Sequence, residues 1–156
     1  MTIRKAKISD AEGIHKLIRH YAELDRMLFR SLSRVYEDIM SFVVAEQEGV
    51  IAGCGALSVV SKDLAEIKSL AVNKRYAGKG LGKAIVQKHM QIASELGIKK
   101  VFALTLEEDF FLKCGFETVE KGRLPMKVWS DCANCPKQEH CDEIAVVTSV
   151  EKCPKT

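Results

Sequence analysis

The chain has no uninterrupted apolar run approaching the ~20 residues that a bilayer-spanning helix needs. Its first residues, Met1-Thr-Ile-Arg-Lys-Ala-Lys-Ile-Ser-Asp10, lack the apolar centre of a signal peptide. The cytoplasm is therefore the expected location, and no membrane partner is expected. An excess of one charge is missing too: 24 Lys and Arg stand against 21 Asp and Glu, spread along the chain, for a net +3. Charge thus gives no reason to expect a nucleic-acid partner. There is no internal repeat and no low-complexity segment. Six cysteines without an export signal read as thiols or metal ligands rather than as a disulfide framework. What is present is 47% hydrophobic content in 156 residues, enough for a single core. The expected organisation is one domain over 1–156 with a cysteine-containing C-terminal segment over 130–156.

Periodicity sets out an alternation of strands and helices. A strand is expected at about Ile3 to Ile8. A helix comes next, opened by the Ser9-x-x-Glu12 capping-box spacing, with Ile14, Leu17, Ile18, Tyr21 and Leu24 on one face. Then come a helix from Arg34 to Ser41, strands Phe42 to Gln47 and Val50 to Val60 around a tight turn at Glu48-Gly49, and a strand from Leu64 to Val72. Leu81, Ile85, Ile92 and Leu96 mark a helical stripe that Gly97 should cap. His89 reads as a packed residue of that helix, and His15 and His20 as solvent-facing. A strand from Val101 to Leu106, a short helix from Asp109 to Lys113, a strand from Phe116 and a final strand from Glu143 to Val150 complete the pattern. This is an α/β chain, a mixed sheet flanked by helices.

The strand ending at Val72 empties into Asn73-Lys-Arg-Tyr-Ala-Gly-Lys-Gly-Leu-Gly-Lys83, three alternating glycines at a helix start. Glycines permit positive φ and close backbone approach, and the free N–H groups and positive end of the helix attract anions. A phosphate-bearing cofactor is the expected ligand. A Walker loop does not fit, because Gly82-Lys83 precedes Ala84 and no glycine stands five residues before Gly82. A dinucleotide fingerprint starting at Gly78 would need a glycine where Lys83 stands.

Ala77-Gly78-Lys79-Gly80-Leu81-Gly82 resembles motif A of the GNAT superfamily of acetyl-CoA-dependent N-acetyltransferases, Gln/Arg-x-x-Gly-x-Gly/Ala, with Ala77 in the Gln/Arg position. Phe110-Phe-Leu-Lys-Cys-Gly-Phe116 resembles the later motif of that superfamily, Phe-Tyr-x-Lys-x-Gly-Phe. Leu28-Phe-Arg-Ser31, Val50 to Leu57, Ala65 to Val72 and Leu124 to Cys132 are similar to segments of short single-domain bacterial N-acetylglutamate synthases. The resemblance implies a mostly antiparallel mixed sheet flanked by helices, with acetyl-CoA as cosubstrate. It places the pyrophosphate on Gly78, Lys79, Gly80, Leu81, Gly82 and Lys83, and the thioester along Leu70, Ala71 and Val72. It further implies Glu66 as general base, an amino-acid acceptor that is L-glutamate, and a place in arginine biosynthesis. Arg30, Lys68 and Lys127 are then candidates for the acceptor's carboxylates, Arg30 first because a guanidinium binds a carboxylate in bidentate fashion. A homodimer is left open.

Other readings stand beside these. Glu66 and Lys68, two apart on a strand, could be a surface cross-pair instead. Phe111 occupies the position where many relatives carry a leaving-group acid, Tyr, and sequence places no hydroxyl of Tyr21, Tyr36 or Tyr76 at the sulfur. Cys54 and Cys114 admit a covalent acyl-enzyme but read better as small buried residues. Cys132, Cys135 and Cys141, with His140 and Cys153 nearby, carry half of a zinc pattern, so zinc, reduced thiols and a redox pair remain open. Rival functions are a protein-amine acetyltransferase and an acetyl-CoA-docking protein without turnover, which a CoA-release assay separates.

Overall fold

The computed structural model describes residues 1–124 and 143–152. Glu48 and Gly49 both sit at positive φ, 51° and 78°, the backbone of the two-residue turn whose twist suits a hairpin. They join β2 (Phe42–Gln47) to β3 (Val50–Ser61), with Gln47 paired to Val50. With β1 (Thr2–Lys5), β4 (Leu64–Val72), β5 (Lys100–Thr105), β6 (Glu117–Val119) and β7 (Ile144–Ser149), these strands form one seven-stranded sheet in the order β1-β2-β3-β4-β5-β7-β6. Every neighbouring pair is antiparallel except β4 and β5. That parallel pair is the one joined through a long helix, as a crossover requires.

Helices α1 (Ala11–Glu23) and α2 (Leu32–Glu37) cover one face, packing Ile14, Leu17, Ile18 and Val35 on Phe42, Val44, Cys54 and Ala56. Helices α3 (Leu81–Leu96) and α4 (Glu108–Lys113) cover the other, where Val86, Met90 and Phe111 meet Leu57, Ala65, Ile67 and Val101. The close approach of α3 rests on two glycines of β3. A Cβ at Gly55 would lie 2.9 Å from Ile85 Cγ2, and one at Gly53 3.0 Å from Ile85 Cδ1. Gly97 ends α3 at φ 83°, as its C-cap position predicts.

Strand β4 departs from regular pairing in two ways. It pairs with β5 over Leu64, Ala65 and Glu66 only, after which the strands part while β5 continues along β7. It also carries a bulge, because Lys68 pairs with Ala56 and Ala71 with Cys54, so Ser69 and Leu70 together oppose Gly55. Ser69 takes φ 53°, rare for a residue with a Cβ. The extra residue shifts the alternation: Ala65 and Ile67 pack toward α3 before it, Leu70 and Val72 after it, while Ala71 joins the α1 face.

Four expectations are corrected. A 3₁₀ turn at Ile8–Asp10 precedes α1, so the N-cap position falls on Asp10 and the Ser9–Glu12 capping box does not form. Asp10 turns its carboxylate backward, accepting from Lys7 N at 2.7 Å and from Arg4 Nη1 at 2.7 Å and Nη2 at 3.0 Å. Helix α2 starts earlier, at Leu32, because Ser31 caps it by accepting from Arg34 N, and a separate 3₁₀ turn occupies Ile39–Ser41. Leu96 is exposed rather than part of the packed stripe of α3, whose buried face instead includes Val86, His89, Met90 and Ala93. His15 is half-buried, its ring edge-on to Phe29, whereas His20 is exposed.

Candidate active site

Where β4 and β5 part, a cavity of about 520 Å³ opens. Its floor is β4 from Glu66 to Val72, its far wall is β5 and the start of α4, and its roof is the end of α1 with the adjoining segment through Arg30. The parting leaves β4 backbone beyond Glu66 without a β5 ladder, so polar main-chain groups there are available to a ligand. Leu70, Ala71 and Val72, predicted to lie along the thioester, all line this cavity, as does Gly82.

The glycine loop lies at the end of the same strand. Gly78 and Gly80 take φ 79° and 77°, and a Cβ at either would meet nothing within 4 Å, so both face open space in a conformation that favours glycine. The helix ladder of α3 begins with Ala84 N donating to Gly80 O at 3.0 Å. The N–H groups of Leu81, Gly82 and Lys83 precede it and stand at the positive end of a 16-residue helix. Leu81 is buried, which limits its contribution to backbone, while Lys79 and Lys83 are exposed and Lys79 Nζ lies 5.6 Å above the Tyr76 ring. Gly82 is held for packing as well, since a Cβ there would come within 3.0 Å of the Phe110 ring. The loop and the cavity together fit a long ligand with a phosphate-bearing end and a reactive end.

Glu66 is 9% exposed, and Lys68 Nζ lies 3.8 Å from its Oε1. The pair expected from their spacing exists, and it lies in the cavity wall rather than on the outer surface. Arg30 lies on the segment after α1. Its Nε donates to Ser69 Oγ at 2.9 Å, its Nη1 to Asp38 Oδ2 at 2.6 Å, and its guanidinium carbon sits 5.6 Å from the Phe42 ring centroid. Arg30 and Lys68 line the cavity together and also border a second hollow of about 530 Å³ beside it. Lys127 falls outside the described residues, as do Cys132, Cys135, His140, Cys141 and Cys153. Among the described residues no cluster of three or more His, Cys, Asp or Glu could hold a metal.

Phe111 is buried, packed edge to face against Phe110 and Phe116 at 5.1 Å each. The phenol of the cavity is elsewhere: Tyr21 donates from its hydroxyl to Val72 O at 2.5 Å, tying α1 to the end of β4. Its helical phase with Ile14, Leu17 and Ile18 gave its direction but not its partner. Arg26 and Glu107, which pair across the cavity mouth, were also not legible, because they are 81 residues apart. Cys54 is fully buried and its thiol is pushed up to about 12 by burial, so it stays protonated and is unsuited to covalent catalysis.

A family model described as "Acetyltransferase (GNAT) family" matches residues 10–116, more than half of the chain. An uncharacterized N-acetyltransferase of Chlorobaculum tepidum is 41% identical over 148 residues, covering 95% of this chain and 96% of that protein. An amino-acid acetyltransferase of Mycobacterium tuberculosis is 37% identical over 132 residues, 83% of this chain and 75% of that one. Among solved structures, a Mycobacterium tuberculosis protein in complex with CoA superposes with a TM-score of 0.83 at 30% identity, covering 96% of this chain and 99% of that chain. The N-acetylglutamate synthase of Neisseria gonorrhoeae, complexed with coenzyme A and N-acetyl-glutamate, gives 0.87 at 28% identity. This chain is 96% covered there but spans only 35% of the neisserial chain.

Proposed function

The chain belongs to the GNAT family of acetyltransferases, enzymes that use acetyl-CoA, and we propose that it acetylates the α-amine of an amino acid, L-glutamate. The observation that carries this reading is the meeting in one cavity, beside the strand that leads into the glycine loop, of Glu66 with Arg30 and Lys68, apart from the Arg26–Glu107 pair and from Asp25 and Glu143, which also line it. An amine acceptor needs a base, and its carboxylates need fixed positive charge. The names of the mycobacterial relative and the neisserial structure support the same acceptor class.

In this reading the N–H groups opening α3 hold the donor's pyrophosphate, and the exposed backbone of β4 holds its acyl arm. Arg30 and Lys68 take the acceptor's carboxylates. Glu66 removes one proton from the ammonium, directly or through a water, freeing the nitrogen lone pair to form the bond to the thioester carbonyl carbon. Backbone N–H groups of β4 past its ladder with β5 donate to the oxygen as it gains charge. The C–S bond then breaks, the nitrogen gives up its second proton to water to leave the neutral amide, and the departing thiolate takes its proton from water. A thiol of pKa ~8.5 leaves acceptably that way, so the absence of a hydroxyl at Phe111 is tolerated.

The test is a panel of amino acids and a basic peptide assayed with acetyl-CoA for release of free CoA. Glutamate should be preferred, and Arg30→Ala should raise the KM for glutamate more than that for acetyl-CoA. A peptide preference would favour a protein-amine acetyltransferase, and CoA binding without release a docking protein.

A further inference from the structure

We propose that Asp38 is a positioning residue for the acceptor: it holds the Arg30 guanidinium in the orientation that receives a carboxylate. This rests on the reading of Arg30 as the acceptor's carboxylate partner. A guanidinium is a rigid planar fork, so fixing two of its three nitrogens fixes the third. Asp38 Oδ2 accepts from Nη1 at 2.6 Å and Ser69 Oγ accepts from Nε at 2.9 Å. The Phe42 ring lies 5.6 Å from the guanidinium carbon. These contacts leave Nη2 with no protein partner among the described residues, on a side chain that lines the cavity.

The arrangement also solves a charge problem. An acid beside Arg30 would by itself neutralise the cation that a substrate carboxylate needs. Here the same oxygen also accepts from Arg34 Nε at 3.1 Å, so the Arg30–Asp38–Arg34 group keeps a net positive charge. The Arg30–Asp38 pair is better shielded than a surface pair, with side chains 14% and 28% exposed, so it holds geometry rather than merely adding to the surface charge. Asp38 sits at the C-cap of α2, just before the 3₁₀ turn that leads into β2, so it is anchored by two elements. The other contact, Ser69, is the strained residue of the β4 bulge. The bulge and the α2 terminus thereby set one side chain from two directions.

The experiment is a double-mutant cycle on steady-state kinetics with L-glutamate, or the carboxylate-bearing acceptor preferred in the panel, and acetyl-CoA. Asp38→Ala should raise the acceptor KM about tenfold, a loss of roughly 1.4 kcal/mol. It should leave the KM for acetyl-CoA and kcat within about threefold, since its action is on acceptor binding. Arg30→Ala should raise the acceptor KM at least as much, and adding Asp38→Ala to it should change nothing further. Asp38→Asn, nearly isosteric, serves as the milder variant if Asp38→Ala does not fold, and should show a smaller shift in the same parameter. CoA affinity and thermal melting report folding independently. If the two substitutions act additively, or if Asp38 variants move kcat or the acetyl-CoA KM instead, the positioning role is overturned while Arg30's role stands. If Arg30→Ala leaves the acceptor KM untouched, both assignments fall.

Discussion

Replacing Gly80 by valine tests the phosphate site against a control built into the same helix. Gly80 and Gly97 flank α3, take nearly equal φ of 77° and 83°, and neither has any atom within 4 Å of an added Cβ. The Cβ of a valine at either therefore meets no neighbour, and each substitution carries the same cost of a left-handed backbone, about 1–2 kcal/mol. For a chain this long that corresponds to a melting temperature lower by about 2–8 °C, and the two variants should melt alike. They should differ in CoA affinity, measured by calorimetry. Gly97→Val should bind as the parent does, since it lies at the far end of the helix. Gly80→Val puts two methyl groups in the space before the free N–H groups, and losing one charge-assisted hydrogen bond at about 1.5–3 kcal/mol weakens binding by roughly 10- to 100-fold. Unchanged affinity in a folded Gly80→Val protein, or an equal loss in Gly97→Val, would refute the placement of the pyrophosphate at this loop.

Glu66→Gln should lower kcat by about 10²-fold with CoA affinity retained, the deficit being largest at low pH, where little neutral amine exists without a base; an unchanged pH–rate profile would make Glu66 structural. His89 is fully buried beside the Gly55 backbone, and burial pushes it down to about 4, outweighing the raising effect of that backbone contact. Its folded pKa lies below its unfolded one, so the unfolded state binds the extra proton first, and stability is full above about pH 6.5 and falls on acidification toward pH 4, by on the order of 3 kcal/mol. His89→Leu should flatten that part of a denaturant-stability profile, and an equally steep slope in the variant would assign the acid sensitivity elsewhere. Tyr21→Phe removes the hydroxyl that donates to Val72 O and should cost about 0.5–1.5 kcal/mol in urea unfolding while raising the KM for acetyl-CoA; a KM change for the acceptor alone would count against a role at the end of β4.

The parts of this molecule that were legible in the sequence are those set by local rules. The β2–β3 hairpin was readable from the apolar runs around Glu48-Gly49, and the start and stop of α3 from Gly80 and Gly97, because one or two residues decide each backbone turn. The Ser9–Glu12 spacing misled because a 3₁₀ turn intervenes, and Asp10 is drawn to Arg4 and Lys7 rather than to the helix it precedes. Strand β4 was located correctly from Leu64 to Val72, but the bulge within it was not, since Ser69 satisfies its conformation through tertiary contacts, including the hydrogen bond from Arg30. The same distance in sequence hid the Tyr21–Val72 and Arg26–Glu107 contacts. Glu66 and Lys68 were singled out by type and spacing, and it is the parting of β4 from β5 that turns their face of the strand into a cavity wall.

The bulge at Ser69 gives β4 something like a reading frame. Upstream of it the odd-numbered Ala65 and Ile67 pack toward α3, and downstream the even-numbered Leu70 and Val72 do, with Ala71 on the α1 side. Point changes along the strand alter single letters, whereas deleting Ser69 would close the bulge: Leu70 and Val72 would keep facing α3 by plain alternation, and what would go is the hydroxyl that accepts from Arg30. A library that randomises residues 66–72 at fixed length therefore searches for new acceptors with the bulge in place, whereas one that removes a residue at the bulge exchanges the support it gives Arg30 for a regular strand.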